Sequence, residues 1–334
     1  MNHLLKSKFL LSLIVLFSYC VNAQKVKIVT SKDSVSFRGL SVVNDKIIWV
    51  SGSKGTVGKS IDSGNTWKWY SVNGFEKSDF RDIEAFNESQ AIVISVGEPA
   101  YILKTLDGGD SWKVVYENKQ KGMFLDALEF WNEQSGIVLG DPIDQRFFIA
   151  RTFDGGNSWK QIPTNNQPKS DSSEACFAAS GTNIKKINNK EAVFVSGGLS
   201  SHLYIKNRKL KLPILQGTES TGANSIGVKD SKTFIVVGGD FYKKDQTEKN
   251  CCITKDAGNS WNYSTNPPNG YRSCVEFLRK NNWITCGLSG VDYSMNNGDT
   301  WKSISTESFH TVKKAKKGKS VYLSGNNKIA KLIF

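Results

Sequence analysis

One short pattern returns five times along the chain and constrains its fold more than any other feature. Ser60-x-Asp62-x-Gly64-x-Thr66-Trp67 recurs as Thr105-x-Asp107-x-Gly109-x-Ser111-Trp112 and as Thr152-x-Asp154-x-Gly156-x-Ser158-Trp159. It returns as Thr254-x-Asp256-x-Gly258-x-Ser260-Trp261, and a fifth copy, Ser294-x-Asn296-x-Gly298-x-Thr300-Trp301, has Asn in place of Asp. The Trp-to-Trp steps are 45, 47, 102 and 40 residues, so the long step reads as two repeats of which one has lost the pattern. A period of this size marks a chain built from stacked copies of one supersecondary unit.

Two further series run in phase with the first. Segments such as Phe37-Arg38-Gly39-Leu40, Phe80-Arg81-Asp82-Ile83, Phe124-Leu125-Asp126-Ala127 and Tyr271-Arg272-Ser273-Cys274 open the repeats, and an apolar run ending in Gly follows each of them. Counted this way there are seven repeats, the fourth opening at Phe177 and the last at Phe309. The runs are rich in Val, Ile, Phe and Trp and are bounded by Gly, Asn and Asp, which is the chemistry of short strands and tight turns. No apolar period of 3.6 residues persists. Four short strands per repeat predict an all-β fold, a seven-bladed β-propeller of four-stranded antiparallel blades. The last repeat lacks a fourth strand, and Lys25–Thr30 has no place in the first. The amino-terminal strand is therefore expected to close the last blade and hide its edge.

Lys6 and Lys8 precede the apolar run from Phe9 to Phe17, and Val21-Asn22-Ala23 follows. A basic start, a short apolar stretch and a small-x-Ala end describe a secretory signal. Residues 1–23 are expected to be a signal peptide cleaved after Ala23, and 24–334 a single propeller domain. The protein is then secreted or periplasmic, with no transmembrane segment after cleavage. Residues 1–23 hold two lysines and no acid, so the mature chain carries two positive charges fewer than the +13 of the whole sequence. This excess favours anionic partners. The basic residues are scattered, and no block resembles a nucleic-acid arm.

Five cysteines remain, Cys176, Cys251, Cys252, Cys274 and Cys286. Cys274 and Cys286 flank a segment that reads as a hairpin turning near Lys280. They face each other there either as a cross-strand disulfide or as two buried thiols. There is no CxxC pair, no zinc spacing and no dinucleotide fingerprint, so neither a metal nor a cofactor is expected.

The five copies resemble the Asp-box, or BNR, repeat of sialidases and related propellers. The whole mature chain is similar to the photosystem II assembly and stability factor family and its secreted bacterial relatives, some of which are labelled oxidoreductase or sialidase-like. The shared motif is structural. Asp62, Asp107, Asp154, Asp256 and Asn296 are expected to accept backbone N–H bonds in a hairpin turn. Trp67, Trp112, Trp159, Trp261 and Trp301 are expected to pack beneath it.

Ligand chemistry is expected on the opposite face, where the residues opening each innermost strand meet the loops that follow the second strands. The first set supplies Arg38, Arg81, Asp82, Asp126, Tyr271, Arg272 and His310, and the second supplies Glu98, Asp141 and Asp240. Three arginines at one level suit a carboxylate, sulfate or phosphate through forked hydrogen bonds, or else pair internally with the acids. The expected function is non-catalytic: a monomeric platform that binds an envelope or extracellular protein, or an anionic glycan, through this axial face. The alternative is a sialidase-like glycoside hydrolase in the same pocket. Against it, Arg38-Gly39-Leu40 stands where sialidases have Arg-Ile-Pro, and no Tyr–Glu pair stands out.

Overall fold

The computed structural model describes residues 24–334. The proposed signal peptide lies outside them. The strands pair antiparallel, and the only helical element among the described residues is one 3-10 turn at Thr164–Asn166.

Four sheets have four strands each. They begin at Asp79–Ala85, Leu125–Phe130, Ile184–Lys186 and Cys274–Arg279. A fifth sheet, built on Thr221–Val228, Phe234–Asp240, Cys251–Thr254 and Asn262–Tyr263, gains two short strands, Glu174–Ala175 and Gly197–Gly198, from the preceding repeat. The sixth contains the first and last strands of the described residues. In it Thr311–Lys314 and Val321–Ile333 are joined through Lys25–Val42 to Ile48–Gly52, Thr56–Ser60 and Lys68–Ser71.

The seven blades expected from the repeats are therefore corrected to six hydrogen-bonded blades. The reason is local. The strand from Lys25 does not stop after pairing Lys25 with Ile333 and Ser31 with Lys328. It runs on through a register shift, pairs Ser36 with Asn326, and continues from Phe37 to Val42 against Ile48–Gly52. One strand thus serves both the last and the first repeat and fuses them into a single sheet. Seven sequence repeats fill a ring of six blades, and the outer edge that the last repeat would leave along Val321–Ile333 is covered by the strand from Lys25.

Apolar side chains of neighbouring sheets pack between the blades. Ile92, Ile94 and Ile102 meet Val138, Phe148 and Trp159, while Ile235, Val237 and Cys251 meet Val275, Trp283 and Trp301. The fused sheet folds over on itself, with Phe37, Leu40, Ile48 and Val50 against Tyr322 and Ile329. Burying such residues away from water is the main force holding the ring closed. The innermost strands leave a polar axis. Its lower end is bridged by Lys185 Nζ, 3.2 Å from a carboxylate oxygen of Glu276 two repeats away.

Candidate functional site: the axial cavity

Five copies of the repeated turn join the third and fourth strands of their repeats, and each consumes its own polar groups. In the first, Ser60 Oγ donates to Asp62 Oδ1 at 2.9 Å and accepts the Gly64 N–H at 2.9 Å. Asp62 Oδ1 accepts the Thr66 N–H at 2.9 Å, and Oδ2 accepts its hydroxyl at 2.6 Å. Asp107, Asp154 and Asp256 repeat these contacts. The hydroxyl and N–H bonds hold Asp62 at about 2, below the usual carboxylate range, although burial opposes them. Asp256 is lowered to about 2 in the same way.

The fifth copy shows what the turn requires. Asn296 Oδ1 accepts the Thr300 N–H at 3.0 Å, and Nδ2 donates to the Thr300 hydroxyl at 2.9 Å. One hydrogen bond has reversed direction and the turn is otherwise the same, so it needs an acceptor of this shape and no charge. The glycine has φ +84° in the first and fourth copies, which favours Gly. At Gly258 a Cβ would also lie 2.7 Å from Leu203 Cδ2 of the neighbouring blade. Trp159 and Trp301 are buried, while Trp67 and Trp112 are half-buried and donate their indole N–H to the carbonyls of Gly64 and Gly109.

The opposite end of the axis opens into a cavity of about 510 Å³. Arg38, Arg81, Asp141, Tyr271 and His310 all line it. Its cationic wall is Arg38 and Arg81, both half-buried. Arg81 Nε donates to Asp79 at 2.7 Å, its Nη1 reaches the Ala178 carbonyl at 3.3 Å, and its guanidinium lies 5.9 Å above the Phe124 ring. The only hydrogen bond of Arg38 among the described residues is to the Ala179 carbonyl, at 3.4 Å, and no carboxylate pairs with it there. Burial, then the neighbouring charge of Arg81, lowers its pKa. Two like charges thus share one cavity and one of them is uncompensated, which is the electrostatic condition for capturing an anion.

The other groups are neutral or held. Burial and the Arg38 charge lower His310 to about 4, so its imidazole is uncharged at neutral pH. Its Nε2 lies 2.9 Å from Asn326 Oδ1 and 3.2 Å from Ser36 Oγ. Tyr271 donates its hydroxyl to Asn224 Oδ1 at 2.7 Å, and burial raises its pKa. Burial pushes Asp141 up to about 6, against the Cys176 N–H that it accepts at 2.8 Å. Asp126 lies behind this wall with both carboxylate oxygens buried and without a hydrogen-bond partner among the described residues, and burial and the nearby Asp141 raise its pKa well above the usual carboxylate value.

The remaining sequence-derived candidates are not in the cavity. Arg272 is fully buried and gives its charge to Asp292, with its Nε 2.7 Å from Asp292 Oδ2 and Nη1 2.7 Å from Ser289 Oγ. Asp82 is buried, accepts the N–H groups of Ile83 and Leu128, and is raised to about 7 by burial. Gly181 is required beside it, since a Cβ there would lie 2.2 Å from Asp82 Cγ. Asp240 accepts the Tyr242 N–H at 3.0 Å, and the exposed Glu98 accepts the Gly122 N–H at 2.5 Å. The tyrosine–carboxylate pairing that a sialidase-like reaction needs is not formed at Tyr271.

The structure adds an aromatic wall. Phe124, Phe177, Phe241 and Tyr242 line the cavity, with the Phe177 and Phe241 rings edge to face at 5.8 Å. Phe124 and Phe177 occupy the aromatic position of the repeat-opening segments, and Phe241 and Tyr242 follow a second-strand glycine. That phase was the signal available for them. Cys176 lies beside them, and the five cysteines among the described residues are buried free thiols. Cys274 and Cys286 do stand opposite each other in register.

Among the described residues, one cluster has metal-ligand geometry: Asp171, Glu174 and His202. Lys209 Nζ already supplies the positive charge there, 2.6 Å from Asp171 and 3.0 Å from Glu174.

No family model matches the chain, and no curated protein matches it. Solved structures share its fold. A YCF48 structure described as bound to D1 peptide has a TM-score of 0.67 at 16% identity, covering 93% of this chain and 94% of that one. YCF48 from Cyanidioschyzon merolae has a TM-score of 0.65 at 16% identity, with 92% and 98% covered. The WD40 propeller domain of Doa1 has a TM-score of 0.63 at 12% identity, with 92% and 96% covered. At these identities the likeness establishes the β-propeller fold.

Proposed function

We propose that this propeller binds a protein partner through its axial face, holding a segment that offers a carboxylate to Arg38 and Arg81 and an apolar side chain to the aromatic wall. The observation that carries this reading is the uncompensated Arg38 guanidinium beside Arg81 in an open cavity edged by Phe124, Phe177 and Phe241. A forked guanidinium recognises a carboxylate by charge and geometry together, and a rigid ring lowers the ordering cost of binding. The YCF48 propeller that shares this fold is described as bound to a peptide, which supports a peptide occupant. We place the binding outside the cytoplasm on the strength of the sequence of residues 1–23. Finding Gln24 as the first residue of the mature protein would bear this out, and an intact Met1 would refute it.

The test is a titration of residues 24–334 with a peptide containing aromatic and Asp/Glu residues, and with its Asn/Gln counterpart. The acidic peptide should bind, and the amide version should not. Arg38→Ala combined with Arg81→Ala should weaken the acidic peptide by at least about tenfold, as expected for lost charge-assisted hydrogen bonds. Equal affinity for both peptides, or an unaffected double variant, would overturn the proposal.

A further inference from the structure

The face opposite the cavity carries a second regularity, independent of the first. In each repeated turn one residue stands between the hydroxyl residue and the Asp or Asn. It is Ile61, Leu106, Phe153, Lys255 and Met295 in the five copies. The four apolar ones are all exposed: Ile61 at 52%, Leu106 at 59%, Phe153 at 70% and Met295 at 66%. Single exposed apolar residues are ordinary on a protein surface. The same repeat position left apolar and exposed on four blades is not, because a turn tip is where a polar residue costs nothing.

A second series accompanies it. Lys68, Lys113, Lys160 and Lys302 directly follow the turn tryptophans, and all four are exposed. Lys317 and Lys319, also exposed, lie on the first-to-second strand turn of the last repeat, on the same face. Lys68 shares its charge with Asp110. Lys113, Lys160 and Lys302 have no acidic partner among the described residues.

The turn tips form a rigid rim. Each turn is bonded to the first-to-second strand turn of its own repeat, as in Gly108 N–H to Ser89 O at 2.8 Å and Gly155 N–H to Gln134 O at 2.8 Å. Lysines stitch one repeat to the next. Lys59 Nζ donates to the Gly108 carbonyl at 2.8 Å and Lys104 Nζ to the Gly155 carbonyl at 2.8 Å. The chain also enters the fold on this side, because Lys25 pairs with Ile333 at the end of the sheet that carries the turns.

We propose that this rim docks on an anionic lipid surface. Ile61, Leu106, Phe153 and Met295 would enter the boundary between headgroups and acyl chains, and the lysines beside them would face the lipid phosphates. The apolar tips stand on separate blades with polar turns between them. A protein partner would need a matching pocket for each one, whereas a fluid interface accepts separated knobs at any spacing. Exposed lysines next to apolar tips are the complement of a negatively charged leaflet.

The test is co-sedimentation of residues 24–334 with vesicles of phosphatidylcholine alone and of phosphatidylcholine mixed with phosphatidylglycerol. Binding should appear with the mixed vesicles and weaken with added salt. Leu106→Ser with Phe153→Ser should abolish it while thermal unfolding stays unchanged, since both side chains are exposed. Lys113→Ala with Lys160→Ala should reduce partitioning by about fivefold per lysine. Leu199→Ser, exposed on the opposite face, should have no effect. Failure of the wild type to sediment with mixed vesicles would overturn the proposal, as would sedimentation that survives the Leu106/Phe153 change. Self-association lost in that double variant, without vesicle binding, would also overturn it by assigning the rim to a second copy of the chain.

Discussion

The turn rim and the axial cavity use similar residues to opposite ends. On the rim, each Asp accepts from the N–H and hydroxyl two to four residues away, and even the copy with Asn closes the same turn. At the cavity, Arg38 has one long bond to a carbonyl, and Asp126 behind the wall has no hydrogen-bond partner for either oxygen among the described residues. Where the repeats agree, polar chemistry is spent on the fold. Where they diverge, some is left over for a ligand. Arg272 marks the boundary. It occupies the same repeat position as Arg38 and Arg81 but is consumed by Asp292.

The largest effect that sharpens this contrast is therefore at Arg272. Arg272→Ala strands Asp292, 1% exposed, without its partner, and should destabilise the protein by about 3–5 kcal/mol in denaturant unfolding. Arg38→Ala should leave stability nearly unchanged. If the two variants unfold alike, the division between spent and spare arginines fails.

A smaller loss is expected on the rim. Thr105 Oγ1, buried, accepts the Gly109 N–H at 3.0 Å. Thr105→Val leaves that buried donor unsatisfied and should cost about 1–3 kcal/mol. Asp154→Asn should cost less than Thr105→Val, because Asn296 already shows the turn closing without a carboxylate.

The buried acids and the rim acids should also respond to pH in opposite directions. Asp141 and Asp82 are raised to about 6 and about 7, so the folded state holds protons that the unfolded chain releases near pH ~4. Their contribution is complete below pH ~4 and is lost as pH rises through 6–7. The rim acids Asp62 and Asp256 are lowered to about 2, so their contribution is present above pH ~4 and is lost as pH falls towards 2. Asp141→Asn should flatten the alkaline limb of the stability profile and spare the acid limb. Ligand binding should follow the same group: carboxylate affinity should rise as pH falls through about 6, because a protonated Asp141 no longer repels a carboxylate entering the cavity it lines.

The repeated turn was legible in the sequence, because a pattern returning five times marks the hairpin and its acceptor; that the turn closes without a charge is visible only in the hydrogen bonds of Asn296, and the exposed tips only in the structure. The cavity was legible in part. Phase alone placed Arg38, Arg81, Asp141, Tyr271 and His310 on the axis. It could not separate Arg81 from Arg272, since that depends on Asp292 and Ser289 arriving from a later hairpin. Nor did phase reveal that the strand from Lys25 runs through to Val42 and merges two repeats. Strand boundaries depend on where hydrogen bonding stops, and there it does not stop. The buried state of Asp126 was equally hidden, being a property of the walls around it.

The most direct measurement is a crystal structure of residues 24–334 soaked with the acidic peptide. A carboxylate seated between the Arg38 and Arg81 guanidiniums, with an apolar side chain against Phe124, Phe177 or Phe241, is the result expected. A peptide bound at the repeated turns, with the axial cavity left to solvent, would contradict it.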